Sequence, residues 1–172
     1  MKKLLLPIII LFLNITPANA LNIAVIETDQ IVEKSKAMKE AKEKILKQRE
    51  SYQSELSEEE GDLKKKIEKL EKQKSKFTTE ALKKKEEKLS KEFAELNELL
   101  QRRNETLQKA EIDIMNQIGE KIEEILQEIK KEENIDIILS SKQVILYNDN
   151  MNISDKVLKK LNKELPKIKV RF

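Results

Sequence analysis

A long run of charged heptads dominates this sequence and leaves few folds open to it. From Ile31 to Lys76 the chain has no proline and a single glycine, and it is rich in Glu, Lys, Ala, Leu and Gln, which favour helix. Apolar residues recur every seven positions, with one more at the alternate spacing of four and three that a coiled-coil seam requires. They are Leu56, Leu63, Ile67, Leu70 and Phe77. The pattern predicts a long coiled-coil helix.

The apolar seam breaks near the middle of the chain and then resumes. Ser75, Thr78 and Thr79 cluster at the break, where they favour a turn and a new helix N-terminus. The second seam comprises Leu82, Leu89, Phe93, Leu96, Leu100 and Leu107. If the chain folds back near 74–80, the facing pairs are Leu56 with Leu100, Leu63 with Phe93, and Ile67 with Leu89. We therefore predict an antiparallel helical hairpin arm over residues 31–133; the alternative is one continuous helix of about 100 residues.

Both ends of the predicted arm are followed by sequence typical of strands. Residues 22–26 are apolar and β-branched, and 135–139 and 143–147 read as two strands of a hairpin. A short last helix follows and ends before Pro166. The predicted fold class is thus α+β, with a β-rich body formed by residues 21–30 and 134–172. Three short strands cannot bury both faces of their sheet, so we expect copies of the chain to assemble through it. The residues expected in this assembly are Ile23, Val25, Ile137, Leu139, Val144 and Leu146.

The N-terminus has the features of an export signal. Lys2 and Lys3 precede an apolar run, and Ala18-Asn19-Ala20 provides the small residues of a cleavage site. The apolar run is short for a membrane span, which needs about 20 residues. We expect residues 1–20 to be a signal peptide that is cleaved after Ala20, with an uncleaved N-terminal anchor as the alternative.

The composition argues against catalysis. The chain has no His and no Cys, which removes imidazole bases, thiolate nucleophiles and thiolate metal sites. Its carboxylates occur in runs on a helical pattern, where a solvated helix face is the ordinary explanation. We predict that the protein is not an enzyme, with no catalytic residue and no cofactor or metal.

Charge is segregated along the arm. Residues 64–91 hold 12 Lys against 5 acidic residues, whereas residues 92–136 hold 13 acidic and 6 basic residues. The tip is therefore basic, and positive charge there would attract acidic partners or an anionic membrane surface. A solvated coiled-coil exterior is the alternative. The basic candidates are Lys83, Lys84, Lys85, Lys88, Arg102 and Arg103. The two arginines could bind a lipid phosphate, or they could extend along the helix surface so that only their charged ends reach water.

Several segments outside the coiled coil resemble the Skp/OmpH family of periplasmic chaperones. They are Ile23-Ala24-Val25-Ile26 after an exported N-terminus, Asn134–Leu139 followed by Val144–Asn148, and the closing Ile153–Leu161. The resemblance implies a homotrimer with a β-barrel body and three coiled-coil arms around a cavity. That cavity would hold unfolded outer-membrane β-barrel proteins in the periplasm, in outer membrane protein biogenesis, without catalysis. Some members are suggested to contact lipopolysaccharide.

Two other functions are compatible with parts of this sequence. One is a structural or adaptor hairpin in an envelope assembly, but such hairpins usually carry more β-sequence than this chain has. The other is nucleic-acid binding by the Lys-rich tip, which export and the scarcity of stacking aromatic residues disfavour. The chain also departs from the strongly basic character of the family, because its charges nearly balance.

Overall fold

The computed structural model describes residues 21–172 and confirms the α+β fold class. The predicted signal peptide lies outside the described residues. In chain order, the elements are β1 (Ile23–Ile26), α1 (Thr28–Lys34), α2 (Lys36–Gln73), α3 (Thr79–Glu132), β2 (Ile137–Ser140) and α4 (Ser154–Glu164).

The arm is an antiparallel hairpin of α2 and α3, so the single continuous helix is excluded. At 1.5 Å per residue, the 38 residues of α2 extend about 57 Å and the 54 residues of α3 about 81 Å. The chain reverses at a 3-10 turn, Lys74–Lys76. Thr78 then caps α3, because its side-chain oxygen accepts a hydrogen bond from the Ala81 N–H at 3.3 Å. The second helix of the arm is the longer one because α3 continues into the body.

The helix expected to run unbroken from about Ile31 is instead two helices. The backbone of Ser35 is extended, and this residue separates α1 from α2. Its hydroxyl donates to the Val32 carbonyl at 2.7 Å and accepts from the Met38 N–H at 3.1 Å, so it ends one helix and caps the next. The arm therefore begins with a bend at a fully buried serine.

The hydrophobic core lies where the arm meets the body. One stripe of α3 supplies isoleucines at spacings of three and four, and β1, α1 and α4 pack onto it. The stripe comprises Ile114, Ile118, Ile122, Ile125 and Ile129. Farther out, Tyr52, Leu63 and Leu107 are the buried apolar residues of the arm. The outer arm is thus held mainly by the contact between its own two helices.

The sheet has two parallel strands. Ile23 pairs with Ile137 and Ile26 with Ser140, and the arm forms the long connection that a parallel pair needs. On the other side of β1, the N–H of Ile153 donates to the Val25 carbonyl at 3.0 Å.

The predicted strand at 143–147 is wrong for the single chain. A 3-10 turn at Ser141–Gln143 directs the chain away from β2, and no strand partner follows within residues 21–172. The backbone of Val144 is extended, but a strand requires a hydrogen-bonded neighbour. Ile145 and Leu146 are consequently 97% and 88% exposed. We call Val144–Tyr147 the edge segment.

Within the described residues, no helix is both long and apolar enough to cross a membrane.

Candidate interaction surfaces

The contact between the two arm helices is unusually polar. Lys66 and Glu92 form an ion pair at 2.9 Å, Glu55 and Arg103 at 2.8 Å, and Arg49 and Glu111 at 3.2 Å. Each pair joins α2 to α3 and is at least partly exposed to solvent. Glu92 and Arg103 thus lie on the face of α3 that is turned toward α2.

The predicted facing pairs of apolar residues are wrong for this reason. Phe93 is 57% exposed, and Leu100 and Ile67 are exposed as well. Because Glu92 and Arg103 face α2, Phe93 lies about 100° from Glu92 around the helix axis and Leu100 about 60° from Arg103, at about 100° per residue. The inward stripe of α3 keeps Leu89 and Leu96 of the predicted seam and passes through Leu99 rather than Leu100; all three inward leucines are partly buried.

The rotation gives the outer arm an apolar face. Phe93 and Leu100 are seven residues apart and share one side of α3. Lys66 and Glu92 face each other across the hairpin, and Ile67 and Phe93 are the next residues on their helices. In an antiparallel helix pair, the residues that follow two facing partners lie on the same side of the pair. Ile67, Phe93 and Leu100 therefore form an exposed apolar stripe. The opposite side is polar and is lined by Lys69, Lys88, Glu95 and Arg102.

Arg103 is a structural residue of the arm. Its guanidinium lies 4.3 Å from the centre of the Tyr52 ring, while Nη2 donates to Glu55 Oε1 at 2.8 Å. This hydrogen bond raises the pKa of Arg103. Its buried Nε has no hydrogen-bond partner among the described residues. The adjacent Arg102 points the other way, is exposed and pairs with Glu98 at 3.5 Å. The two arginines predicted as one site therefore lie in different environments.

The four candidate lysines of the tip are all exposed on the first turns of α3. Lys84 pairs with Glu80 at 3.2 Å, and Lys88 lies 3.9 Å from Glu92. The ammonium of Lys85 lies over the Phe77 ring, 4.9 Å from its centre. Lys83 completes the set. They surround the hairpin tip, where their charge is accessible to solvent.

The six residues expected in the body assembly lie in different environments. Val25 is fully buried in the core of its own chain. Ile137 is exposed, while Ile23, Leu139 and Val144 are half-buried. Leu146 is almost fully exposed in the edge segment. The outer edge of β2 and the edge segment thus present apolar side chains and backbone groups that the described part of the chain leaves without a strand partner.

A cluster of polar residues holds the end of the edge segment against the base of the arm. Glu27 accepts hydrogen bonds from Tyr147 at 3.2 Å and from Asn152 at 2.8 Å, and its own N–H donates to Ser154 Oγ at 2.8 Å. Burial and the Glu27 carboxylate raise the pKa of Tyr147. Nothing in the heptad or strand patterns indicated this cluster, since its members are far apart in sequence.

Comparison with known proteins agrees with this architecture. Residues 22–161 match the model of a family described as outer membrane protein (OmpH-like). The search of curated proteins found no match. A solved structure from Caulobacter crescentus CB15, whose description proposes an OmpH-like outer membrane chaperone, superposes with a TM-score of 0.81 at 17% identity. The match covers 89% of this chain and 92% of that one. At this identity the similarity shows the fold alone.

Proposed function

The chain belongs to the OmpH-like family, and from this membership we propose that it is a periplasmic holdase chaperone. It binds unfolded outer-membrane β-barrel proteins between helical arms and prevents their aggregation on the way to the outer membrane. No step of this function requires catalysis, a nucleotide or a metal. We also propose export, with cleavage after Ala20, so that N-terminal sequencing of the exported protein begins at Leu21.

The observation that supports holding is the exposed apolar stripe on the outer arm. Ile67, Phe93 and Leu100 lie on a hairpin that is otherwise densely charged. A contiguous patch of exposed apolar side chains marks an interaction site, whereas single exposed apolar residues do not. Scattered, shallow apolar contacts suit an unfolded client, which presents no fixed surface for a deep pocket. The charged surroundings keep the chaperone itself from aggregating.

Assembly is the second part of the proposal. We infer a homotrimer, in which the edge segment of one copy pairs with the outer edge of β2 in the next. This pairing would satisfy the backbone groups of both segments and bury Ile145, Leu146 and Ile137. Three arms joined at one body would then enclose a cavity. Contact of the basic tips with lipopolysaccharide or another anionic membrane surface belongs to the same proposal, with Arg102 but not Arg103 free to take part.

The test is aggregation of a urea-unfolded outer-membrane β-barrel protein on dilution, followed by light scattering. The mature chain should suppress scattering at near-stoichiometric amounts. Changing Phe93 and Leu100 to Ser should weaken suppression several-fold, because their side chains supply the apolar contact. The matched control changes Lys69 and Glu95, on the polar side of the arm, to Ser.

The control variant should protect the client as well as the parent does. No suppression by the parent chain would overturn the holdase proposal. It would favour a structural or adaptor role, for which binding of unfolded protein is not needed. Equal loss in both double variants would show instead that the apolar stripe is not the holding surface.

A further inference from the structure

The segment after α4 lies across both helices of the arm at its root. We call Pro166–Phe172 the strap. The carbonyl of Ile168 accepts a hydrogen bond from Lys44 Nζ on α2 at 3.2 Å, and the carbonyl of Lys169 accepts one from Gln117 Nε2 on α3 at 3.1 Å. The side chain of Ile168 is 4% exposed and belongs to the main core. The strap lies beyond the residues that match the family model.

The strap has the residue pattern of a β-strand but forms no strand with the described residues. Apolar Ile168, Val170 and Phe172 alternate with three basic residues, Lys167, Lys169 and Arg171. Burial follows the same alternation near the core, since Ile168 is buried and Val170 partly buried, whereas the three basic side chains are exposed. Alternation of apolar and polar residues is the pattern of a half-exposed β-strand, and strands of outer-membrane barrels share it.

Apart from the apolar contact of Ile168, the contacts that hold the strap do not depend on its sequence. Both hydrogen bonds go to backbone carbonyls, which every peptide carries. Their donors are held in place by neighbours, because Lys44 pairs with Glu40 at 2.9 Å and Gln117 donates to Asp113 at 2.8 Å. The one deep side-chain contact is an apolar one. Any extended segment with an apolar residue at the position of Ile168 could make the same set of contacts.

We propose that the strap occupies a docking site for an extended client segment in which apolar and polar residues alternate. The inference rests on the proposed holdase function and names a specific site at the arm root, in addition to the exposed stripe of the outer arm. The strap acts there as an internal competitor. A short tether gives it an effective concentration in the millimolar range, so a client segment must displace it.

Release of the strap tests the competition. The probe is a fluorescein-labelled peptide with the sequence of residues 164–172, and its binding is followed by fluorescence anisotropy. Ile168→Asp in the full chain should unseat the strap, because an unpaired carboxylate is disfavoured in the core. The labelled peptide should then bind about tenfold more tightly than to the parent. Lys159→Gln, which also lowers the net charge by one but at an exposed position of α4, should leave its affinity unchanged.

A second pair of changes tests the site itself. Adding Lys44→Met and Gln117→Leu to the Ile168→Asp chain removes both side-chain donors to the strap carbonyls and should reverse most of the gain in affinity. A chain that ends at Leu165 frees the site without placing a charge near the core, and it should bind the labelled peptide like the Ile168→Asp chain. Equal affinity of the peptide for the parent and for the chain ending at Leu165 would overturn the inference, as would donor removal without effect.

Failure of the peptide-binding experiments can be distinguished from failure of the holdase proposal. If the parent chain suppresses client aggregation but strap release does not change peptide affinity, the arm-root site is wrong and the holdase function stands. Displacement of the labelled peptide from the chain ending at Leu165 by a urea-unfolded outer-membrane protein would connect the two. A client that binds this chain without displacing the peptide would overturn the site as a client site.

Discussion

The guanidinium of Arg103 lies between the two arm helices, with its flat face over Tyr52 and one nitrogen bonded to Glu55. A charged pair in such a place contributes little net stability, because desolvation offsets most of the attraction. It does favour one rotation of α3 over the others, since other rotations leave a partly buried charge without its partner. This rotation of α3 leaves the apolar stripe of the arm exposed.

Among the residues of the outer arm, Tyr52 is the one whose replacement should lower the free energy of unfolding most. Its ring is buried and supports Arg103, so Tyr52→Ala should lower the free energy of unfolding by about 3 kcal/mol. Urea unfolding at fixed protein concentration, followed by circular dichroism, measures the change. Leu46→Ala, at an exposed position of the same helix, should cost less than about 1 kcal/mol. Similar costs for the two changes would show that Tyr52 does not organise the arm.

The secondary elements divide into those that are complete within one chain and one that is not. Helices satisfy their own backbone hydrogen bonds, so α2 and α3 form wherever their sequence allows. A strand cannot do this. β1 has β2 as its partner, whereas the edge segment has no strand partner within residues 21–172. The same physical difference makes the edge segment the element through which copies would join.

Assembly should therefore be sensitive to one exposed side chain. Leu146→Asp costs the isolated chain little, because Leu146 is 88% exposed. In an assembled body the carboxylate would be buried without a partner, which costs several kcal/mol. We expect sedimentation velocity to show monomers for Leu146→Asp and trimers for the parent. Asn150→Asp, also exposed and close in sequence, should remain trimeric. A trimer in both variants would place the interface elsewhere.

The molecule as a whole has its apolar core at one end and a basic tip at the other. The core gathers at the body, and the basic tip lies at the far end of an arm held by polar contacts. Under the proposed holdase function, the tip and the apolar surfaces would act at different steps of client binding. Charge acts at a distance and speeds encounter, while apolar contact acts at short range and slows release.

Reversal of the tip charge should slow the capture of an acidic unfolded client at low salt. In 0.1 M salt, attraction is screened beyond about 10 Å, so the difference should shrink as salt is added. The variant changes Lys83, Lys84, Lys85 and Lys88 to Glu, and stopped-flow binding over a salt series measures the association rate. The dissociation rate should change little.

The matched control carries the same change of net charge near the body. It replaces four exposed lysines of α3 and α4 by Glu: Lys130, Lys131, Lys159 and Lys163. This variant should capture clients nearly as fast as the parent. If the tip variant is as fast as the control at low salt, the tip lysines are a solvated helix face and steering plays no part.

The sequence alone determined the features that depend on neighbours along the chain. Heptad spacing and the break at Ser75–Thr79 were sufficient for a helical hairpin, because helix periodicity and turn preference are local. The resemblance in the strand segments was sufficient for the family, which the match over residues 22–161 confirms. The signal peptide, the domain boundaries, the homotrimer and the client stay predictions.

Contacts between distant segments determine which residues face one another. Heptad spacing allows either Phe93 or Glu92 to face α2. In the structure it is Glu92, which pairs with Lys66 on α2. Val144–Tyr147 has a strand's composition, but its state depends on whether a hydrogen-bonded partner lies beside it. The strap lies on Lys44 and Gln117, more than 50 residues away along the chain. Such contacts depend on three-dimensional proximity, which residue spacing along the sequence does not encode.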